Sequence, residues 1–189
     1  MVVGVRLPPE NVQTQSTLLY HARVARTRGE LPVIEQLQQV LEAAPVYFER
    51  VTGYPSGPSE ALSTYTILPP GKTYAEKFVF GIYLETIMVG CIDLIRAYPN
   101  SETAWLGLLC LREDHCRRGF GSVAYRELES RVGRWPQIRK IGLGVVAPNS
   151  EVCAFWEKQG FRQTGDVKPW HFGRIESELI MMEKGLSGA

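Results

Sequence analysis

No stretch of this 189-residue chain is apolar for long enough to cross a bilayer as a helix. Residues 1–10 also lack the basic run and apolar segment of a secretory signal, so no membrane association is expected and the cytoplasm is the expected location. Charge of one sign is not in excess: Lys+Arg 21 against Asp+Glu 20 leaves a formal +1. No global field therefore draws the protein to nucleic acid or anionic lipid, and any anion site has to be local. Cysteine is sparse and no Cys-x-x-Cys pair occurs; Cys91, Cys110, Cys116 and Cys153 are scattered, three of them in apolar or helical patterns. They read as reduced packing residues rather than a disulfide framework or a zinc site. Internal repeats and low-complexity segments are absent as well.

What is present is a 44% hydrophobic share with mixed charge in a length suited to one compact unit, so residues 1–189 are read as a single domain. Residues 18–25 read as a first strand. Ile34, Leu37, Val40, Leu41 and Ala44 recur at helical spacing behind Pro32, and Val46, Tyr47 and Phe48 suggest a short second helix ending near Gly53. Residues 54–72, with four prolines, read as a loop.

Residues 78–84 and 88–96 are strand-like runs on either side of Glu85 and Thr86, which predicts an antiparallel hairpin; residues 105–111 form a third run. The period then changes. Phe120, Val123, Ala124, Leu128, Val132 and Trp135 form one helix face, and Ile138, Ile141, Leu143 and Val145 alternate again, giving strand, helix, strand and hence a parallel crossover. Asn149 is placed to cap a helix carrying Val152, Cys153, Phe155 and Trp156, which Gly160 ends. Residues 161–168 and 175–183 supply closing strands. The class is α/β with α+β character, a central mixed sheet flanked by helices.

The chemistry is concentrated in Leu109-Cys110-Leu111-Arg112-Glu113-Asp114-His115-Cys116-Arg117-Arg118-Gly119-Phe120-Gly121-Ser122, a strand running through a basic, glycine-containing turn into a helix. Glycines let a backbone approach a ligand, the first N–H groups of a helix have no internal partner, and the helix dipole favours negative charge there. Arg117 and Arg118 add fixed positive charge. A Gly-x-Gly at a helix start also serves plain helix-to-sheet packing, about as often. Neither the Gly-x-x-x-x-Gly-Lys of a nucleotide P-loop nor a completed Gly-x-Gly-x-x-Gly is present.

A second segment narrows the reading. Asn149-Ser150-Glu151-Val152-Cys153-Ala154-Phe155-Trp156-Glu157-Lys158-Gln159-Gly160-Phe161 resembles the Asn-x-x-Ala-x-x-Phe-Tyr-x-x-x-Gly-Phe pattern of the GNAT superfamily of N-acetyltransferases, and the first segment resembles that superfamily's pyrophosphate turn, Arg/Gln-x-x-Gly-x-Gly/Ala. The likeness is strong over residues 105–161 and extends in outline over 78–183. It implies a mostly antiparallel, twisted sheet of about seven strands with a V-shaped splay between strands 4 and 5. It further implies acetyl-CoA as co-substrate, an amine acceptor, no metal, and a homodimer, which is common in the family.

By the same resemblance, main-chain groups of Leu109, Cys110 and Leu111 would pair with the pantetheine arm. The amides of Arg117, Arg118, Gly119, Phe120, Gly121 and Ser122 would hold the diphosphate, and Asn149 would lie near the thioester end. A main-chain N–H near Leu109 is the implied oxyanion donor. Two positions depart from the pattern. Trp156 stands where a tyrosine usually protonates the leaving sulfur; an indole N–H donates a hydrogen bond but does not give up its proton. A thiolate leaves tolerably well unaided, since a thiol has a pKa of about 8.5, or another group supplies the proton. Cys116 stands where Arg or Gln is usual.

For a general base, Asp93 and Glu178 are the carboxylates set in apolar strand contexts, although an edge or salt-bridged carboxylate is the commoner reason for such a residue. His115 beside Cys116 reads as a solvated turn rather than a metal pair. Tyr47, Phe48, Tyr54, Trp105 and Trp170 supply aromatic material for an acceptor pocket or for core, and His171 reads as a hairpin residue. Against acetyl transfer to a primary amine stands a reading from another class, a non-catalytic acyl-CoA sensor; a nucleic-acid-binding module fits the balanced charge poorly.

Overall fold

In the computed structural model the described residues are 22–186. Seven strands form one sheet: β1 (Ala22–Arg26), β2 (Lys77–Leu84), β3 (Ile87–Arg96), β4 (Thr103–Leu111), β5 (Lys140–Val146), β6 (Arg162–Phe172) and β7 (Ile175–Gly185), in the order β1-β2-β3-β4-β5-β7-β6. Every neighbouring pair is antiparallel except β4 and β5, which are parallel. The mixed sheet and its single crossover are as the periodicity predicts, and the mostly antiparallel pairing is as the resemblance implies.

Among the described residues five helices flank it: α1 (Leu31–Glu42), α2 (Pro45–Thr52), α3 (Glu60–Thr66), α4 (Phe120–Val132) and α5 (Cys153–Lys158). On one face, Ala124, Tyr125, Leu128 and Val132 of α4 pack with Val24, Phe80, Ile82, Ile92, Leu94 and Leu106. On the other, Leu37, Val40 and Leu41 of α1, Phe48 of α2 and Ala61 of α3 pack with Val79, Cys91 and Cys110. Burying a side chain such as Leu41 or Leu128 stabilises by about 1.5–3 kcal/mol, so these two layers hold the helices more firmly than local propensity does. Cys91, Cys110 and Cys153 are buried free thiols, whereas Cys116 is exposed. No helix among the described residues is long and apolar enough to cross a membrane.

Three expectations need correction, and that for the first strand can be compared only in part. The first strand covers Ala22–Arg26, and residues 18–21 of the expected span lie outside the described residues. The region read as a loop contains α3. Its short Glu-Ala-Leu-Ser-Thr-Tyr-Thr sequence has little helical periodicity and Ser59 makes no side-chain cap. Instead Gln38 of α1 secures its start, accepting from the Ala61 N–H (3.0 Å) and donating to the Gly57 carbonyl (2.8 Å). Asn149 does not cap α5. A 3₁₀ segment, Ala147–Val152, precedes that helix, with Asn149 at a kink (φ −109°, ψ 20°) and no side-chain cap at either start. The closing strand β6 also runs further than expected, to Phe172, because it is an exposed edge strand without an alternating pattern to mark its end.

The β6–β7 hairpin folds back onto α2. At its tip Gly173 has φ +62°, and a Cβ there would stand 2.2 Å from the Thr52 carbonyl oxygen, so only glycine fits. The Arg174 N–H donates to the same carbonyl (2.8 Å), and the Trp170 indole N–H donates to the Val51 carbonyl (3.1 Å). These contacts bring the aromatic end of β6 over the helices α2 and α3.

Candidate active site

β4 and β5 pair only along Thr103 to Leu106 with Lys140 to Leu143. Beyond that point β5 stays paired with β7 and β4 stays paired with β3, but the two no longer meet. This is the V-shaped splay, and main-chain groups of β4 past Leu106 that face β5 have no strand partner. Its cause is a bulge. Asp93 pairs with Leu108 and Leu94 with Leu106, leaving Gly107 as the extra residue that bends β4 away. Past the bulge, Leu109 and Leu111 pack against the α4-side cluster, while Leu108 and Cys110 join the other.

From Leu111 the chain enters a 3₁₀ turn, Glu113–His115, and then α4. Arg117 (φ 57°) and Gly119 (φ 89°) both take left-handed conformations, which curl the backbone so that successive N–H groups point to one side. Among the described residues the amides of Arg117, Arg118, Gly119, Phe120 and Gly121 have no hydrogen-bond acceptor. They form an open seat for an anion at the start of a thirteen-residue helix. The Arg118 guanidinium donates to the Asp114 carbonyl (3.3 Å) and lies over the Phe120 ring (5.8 Å). Asp114 accepts from Arg112 (3.3 Å) and pairs with His115 Nδ1 (2.7 Å), contacts that hold its carboxyl below the usual range, so His115 is occupied within the turn. Cys116 Sγ donates to the Arg112 carbonyl (3.5 Å), and partial burial raises its thiol.

The second expected segment meets the first. A Cβ on Gly121 would stand 3.4 Å from Phe155 and 3.7 Å from Leu111, so the end of β4, the start of α4 and α5 converge. Asn149 is largely buried; its Oδ1 accepts from Arg50 Nη1 of α2 (3.3 Å), and its amide N–H groups have no acceptor among the described residues. Arg50 also pairs with Glu151, whose carboxyl Arg50 and, more weakly, Arg117 hold below the usual range. Trp156 is in the core, edge-on to Tyr125, Phe155 and Phe161 at centroid distances of 5.7, 4.8 and 5.3 Å. Its indole N–H has no acceptor among the described residues.

On the opposite face of the splay lies a cavity of about 240 Å³ lined by Tyr47, Phe48, Glu60, Ser63, Thr64, Ile67, Asp93, Gly107, Leu108 and Trp170. An outer cavity of about 340 Å³ shares Phe48 and Glu60 and is otherwise bounded by residues including Tyr54 and Phe172. Of the expected aromatic set, Trp105 lies elsewhere, packed on Gly142 between β4 and β5. Asp93 reaches the inner cavity with Lys77 beside it, the ammonium donating to both carboxylate oxygens (2.9 and 3.0 Å). Burial nevertheless raises the Asp93 carboxyl, with Lys77 opposing. Glu178 is exposed on β7 opposite Pro169 and lines neither cavity. His171 is exposed, paired with Glu176.

Glu60, Ser63 and Thr64 were not foreseen, since they belong to the helix that the sequence does not announce. Glu60 has neither an ion-pair nor a side-chain hydrogen-bond partner among the described residues, and burial raises its carboxyl. The Tyr47 hydroxyl is likewise raised by burial and keeps its proton. No cluster of metal-ligating side chains occurs among the described residues.

Comparison with known proteins agrees with this geometry. The model of the acetyltransferase (GNAT) family matches residues 37–161. The crystal structure of an acetyltransferase from Thermus thermophilus superposes with a TM-score of 0.68 at 25% identity, covering 86% of this chain and 97% of that one. A GNAT family acetyltransferase from Elizabethkingia anophelis with acetyl-CoA bound gives 0.60 at 16% identity over 88% and 99%. Spermidine N-acetyltransferase from Vibrio cholerae, in complex with CoA and spermine, gives 0.61 at 14% over 89% and 97%. No curated protein matches the sequence significantly.

Proposed function

Because the chain belongs to the acetyltransferase (GNAT) family, we propose that it carries an acetyl group from acetyl-CoA to a primary amine of a small molecule or peptide, by direct attack in a ternary complex in the cytoplasm. The observation that carries this reading is the splay itself: unpaired β4 backbone, a helix start with open amides beside it, and a cavity ending at Leu108 on the other side.

Acetyl-CoA would supply the activated thioester. The stretch Leu109, Cys110 and Leu111 would hold its extended arm through those main-chain groups that face the gap rather than β3, as a missing ladder rung would. Arg117, Arg118, Gly119, Phe120 and Gly121 would hold the diphosphate through amides, helix dipole and guanidinium charge, and Ser122, whose N–H donates to the Gly119 carbonyl (3.1 Å), would offer its hydroxyl. Arg50 occupies Oδ1 of Asn149, and that residue's N–H donors, without an acceptor among the described residues, would suit a carbonyl of the arm.

The acceptor would enter from the cavity side, where its nitrogen has to be neutral to attack. Asp93 stands at that cavity with Lys77 balancing its charge; Glu178 stands outside it. A carboxylate held by an ammonium is a poor base, so Asp93 fits the role only if the acceptor loosens that pair. Trp156 offers no proton to the departing sulfur and the Tyr47 hydroxyl keeps its own, so the thiolate would leave without a general acid from either residue.

Because Trp156 is core, a second reading keeps cofactor binding and drops catalysis, an acyl-CoA sensor. Isothermal titration with acetyl-CoA, coenzyme A and ATP, followed by thiol release with a panel of amines, separates the cases. Binding of the first two with amine-dependent thiol release supports transfer; binding with release no faster than hydrolysis supports the sensor; absence of binding overturns both.

A further inference from the structure

The two carboxylates of the inner cavity differ in what balances them. Asp93 is matched by Lys77, so that pair adds no net charge to the cavity. Glu60 is matched by nothing among the described residues, and it is half-buried beside Tyr47 and Phe48. A partly desolvated carboxylate without a counter-ion is unfavourable, and a cation entering from solvent relieves it.

The surroundings suit a cation. Tyr47, Phe48 and Trp170 line the same space, and aromatic faces attract positive charge. Glu60 borders both cavities, and the inner one is the one that reaches Gly107 and Leu108 at the splay. The hydroxyls of Ser63 and Thr64 line the cavity from the same helix and can accept further N–H groups.

The charge drawn by Glu60 does not belong to the reacting nitrogen. That nitrogen needs its lone pair and is therefore neutral when it attacks, so a cation held at Glu60 has to be a second group on the same molecule. Resting on the acetyl-transfer reading above, we propose that the acceptor is a dication: one amine reaches Leu108 at the splay while the other, still protonated, is held by Glu60 against the aromatic wall. Glu60 is then the residue that sets acceptor class, and it does so by charge.

The test is calorimetric titration of the coenzyme A-loaded protein with linear α,ω-diamines and with monoamines of equal length. The wild type should bind the diamine roughly tenfold or more tightly, as a hydrogen bond to a charged group warrants. Glu60→Gln should erase that preference, and Glu178→Gln, on the exposed face of β7 outside both cavities, should retain it; acetyl-CoA titration of each variant checks that it is folded. Equal binding of diamine and monoamine by the wild type overturns the proposal without recourse to any variant. So does a preference that survives Glu60→Gln, or a Glu60→Gln loss of turnover that is the same for both amines, which would make Glu60 a base. Thiol release in the same samples reports transfer separately. A diamine preference that vanishes in Glu60→Gln supports the assignment of Glu60 even where no thiol is released, in which case it is the acetyl-transfer reading that fails.

Discussion

Gly107 and Asp93 face each other across the β3–β4 ladder so closely that a Cβ on the glycine would stand 3.3 Å from the aspartate Oδ2. The bulge that opens the splay and the carboxylate that borders the acceptor cavity are therefore one piece of geometry. Moving either one moves the other.

Asp93 gives that geometry a pH signature. Its carboxyl is raised by burial, so the folded state binds the proton more tightly than the unfolded chain does. The corresponding stability is complete below the ordinary carboxylate range, about pH 4, and is lost as the pH rises through the raised value. Denaturant unfolding at a series of pH values should show the wild type losing stability relative to Asp93→Asn on going from acid towards neutral. A relative gain over that interval would mean that Lys77 outweighs burial. Lys77→Met, which strands the buried carboxylate, should cost about 3–5 kcal/mol at neutral pH.

Gly121→Glu should abolish coenzyme A binding. The new side chain starts 3.4 Å from Phe155 and brings negative charge to amides that have no acceptor of their own. A loss of about 100-fold or more in affinity, close to 3 kcal/mol, is expected by calorimetry. Retained affinity would remove the anion seat from the site.

Arg50→Met leaves Asn149 Oδ1 without its donor and releases Glu151. The KM for acetyl-CoA should rise about fivefold, the worth of roughly one net hydrogen bond, while kcat changes little. An unchanged KM would mean that Asn149 is oriented by something else.

Gln38→Ala should cost about 1–3 kcal/mol in unfolding free energy, since it removes the partners of the Ala61 N–H and the Gly57 carbonyl together. A variant as stable as the wild type would show that α3 needs no such anchor. The KM for the acceptor should also rise, because Glu60 begins the helix thus loosened.

That helix also marks where the sequence stops being readable. The hairpin around Glu85, the crossover through α4 and the turn before it could be read because each is announced locally, by alternation, by a 3.6-residue period, or by glycine and arginine at a helix start. α3 is announced by nothing local; its start is satisfied by a glutamine 23 residues away. Asn149 illustrates the converse. Asn before an apolar run is a standard cap signal, yet a 3₁₀ segment and Arg50 claim it instead. Of the candidate site, the anion seat could be read for the same local reasons, whereas Glu60, the Lys77 partner of Asp93 and the exposure of Glu178 depend on which strands and helices meet.

The splay also has a mechanical meaning. The sheet consists of two rafts, β1 to β4 and β5 with β7 and β6, pinned by a seam of four residue pairs from Thr103 to Leu106. That seam is the shortest ladder in the sheet. A molecule lying in the fork and gripping both lips would act as a rivet, so occupancy of the site and resistance of the sheet to shear should rise together.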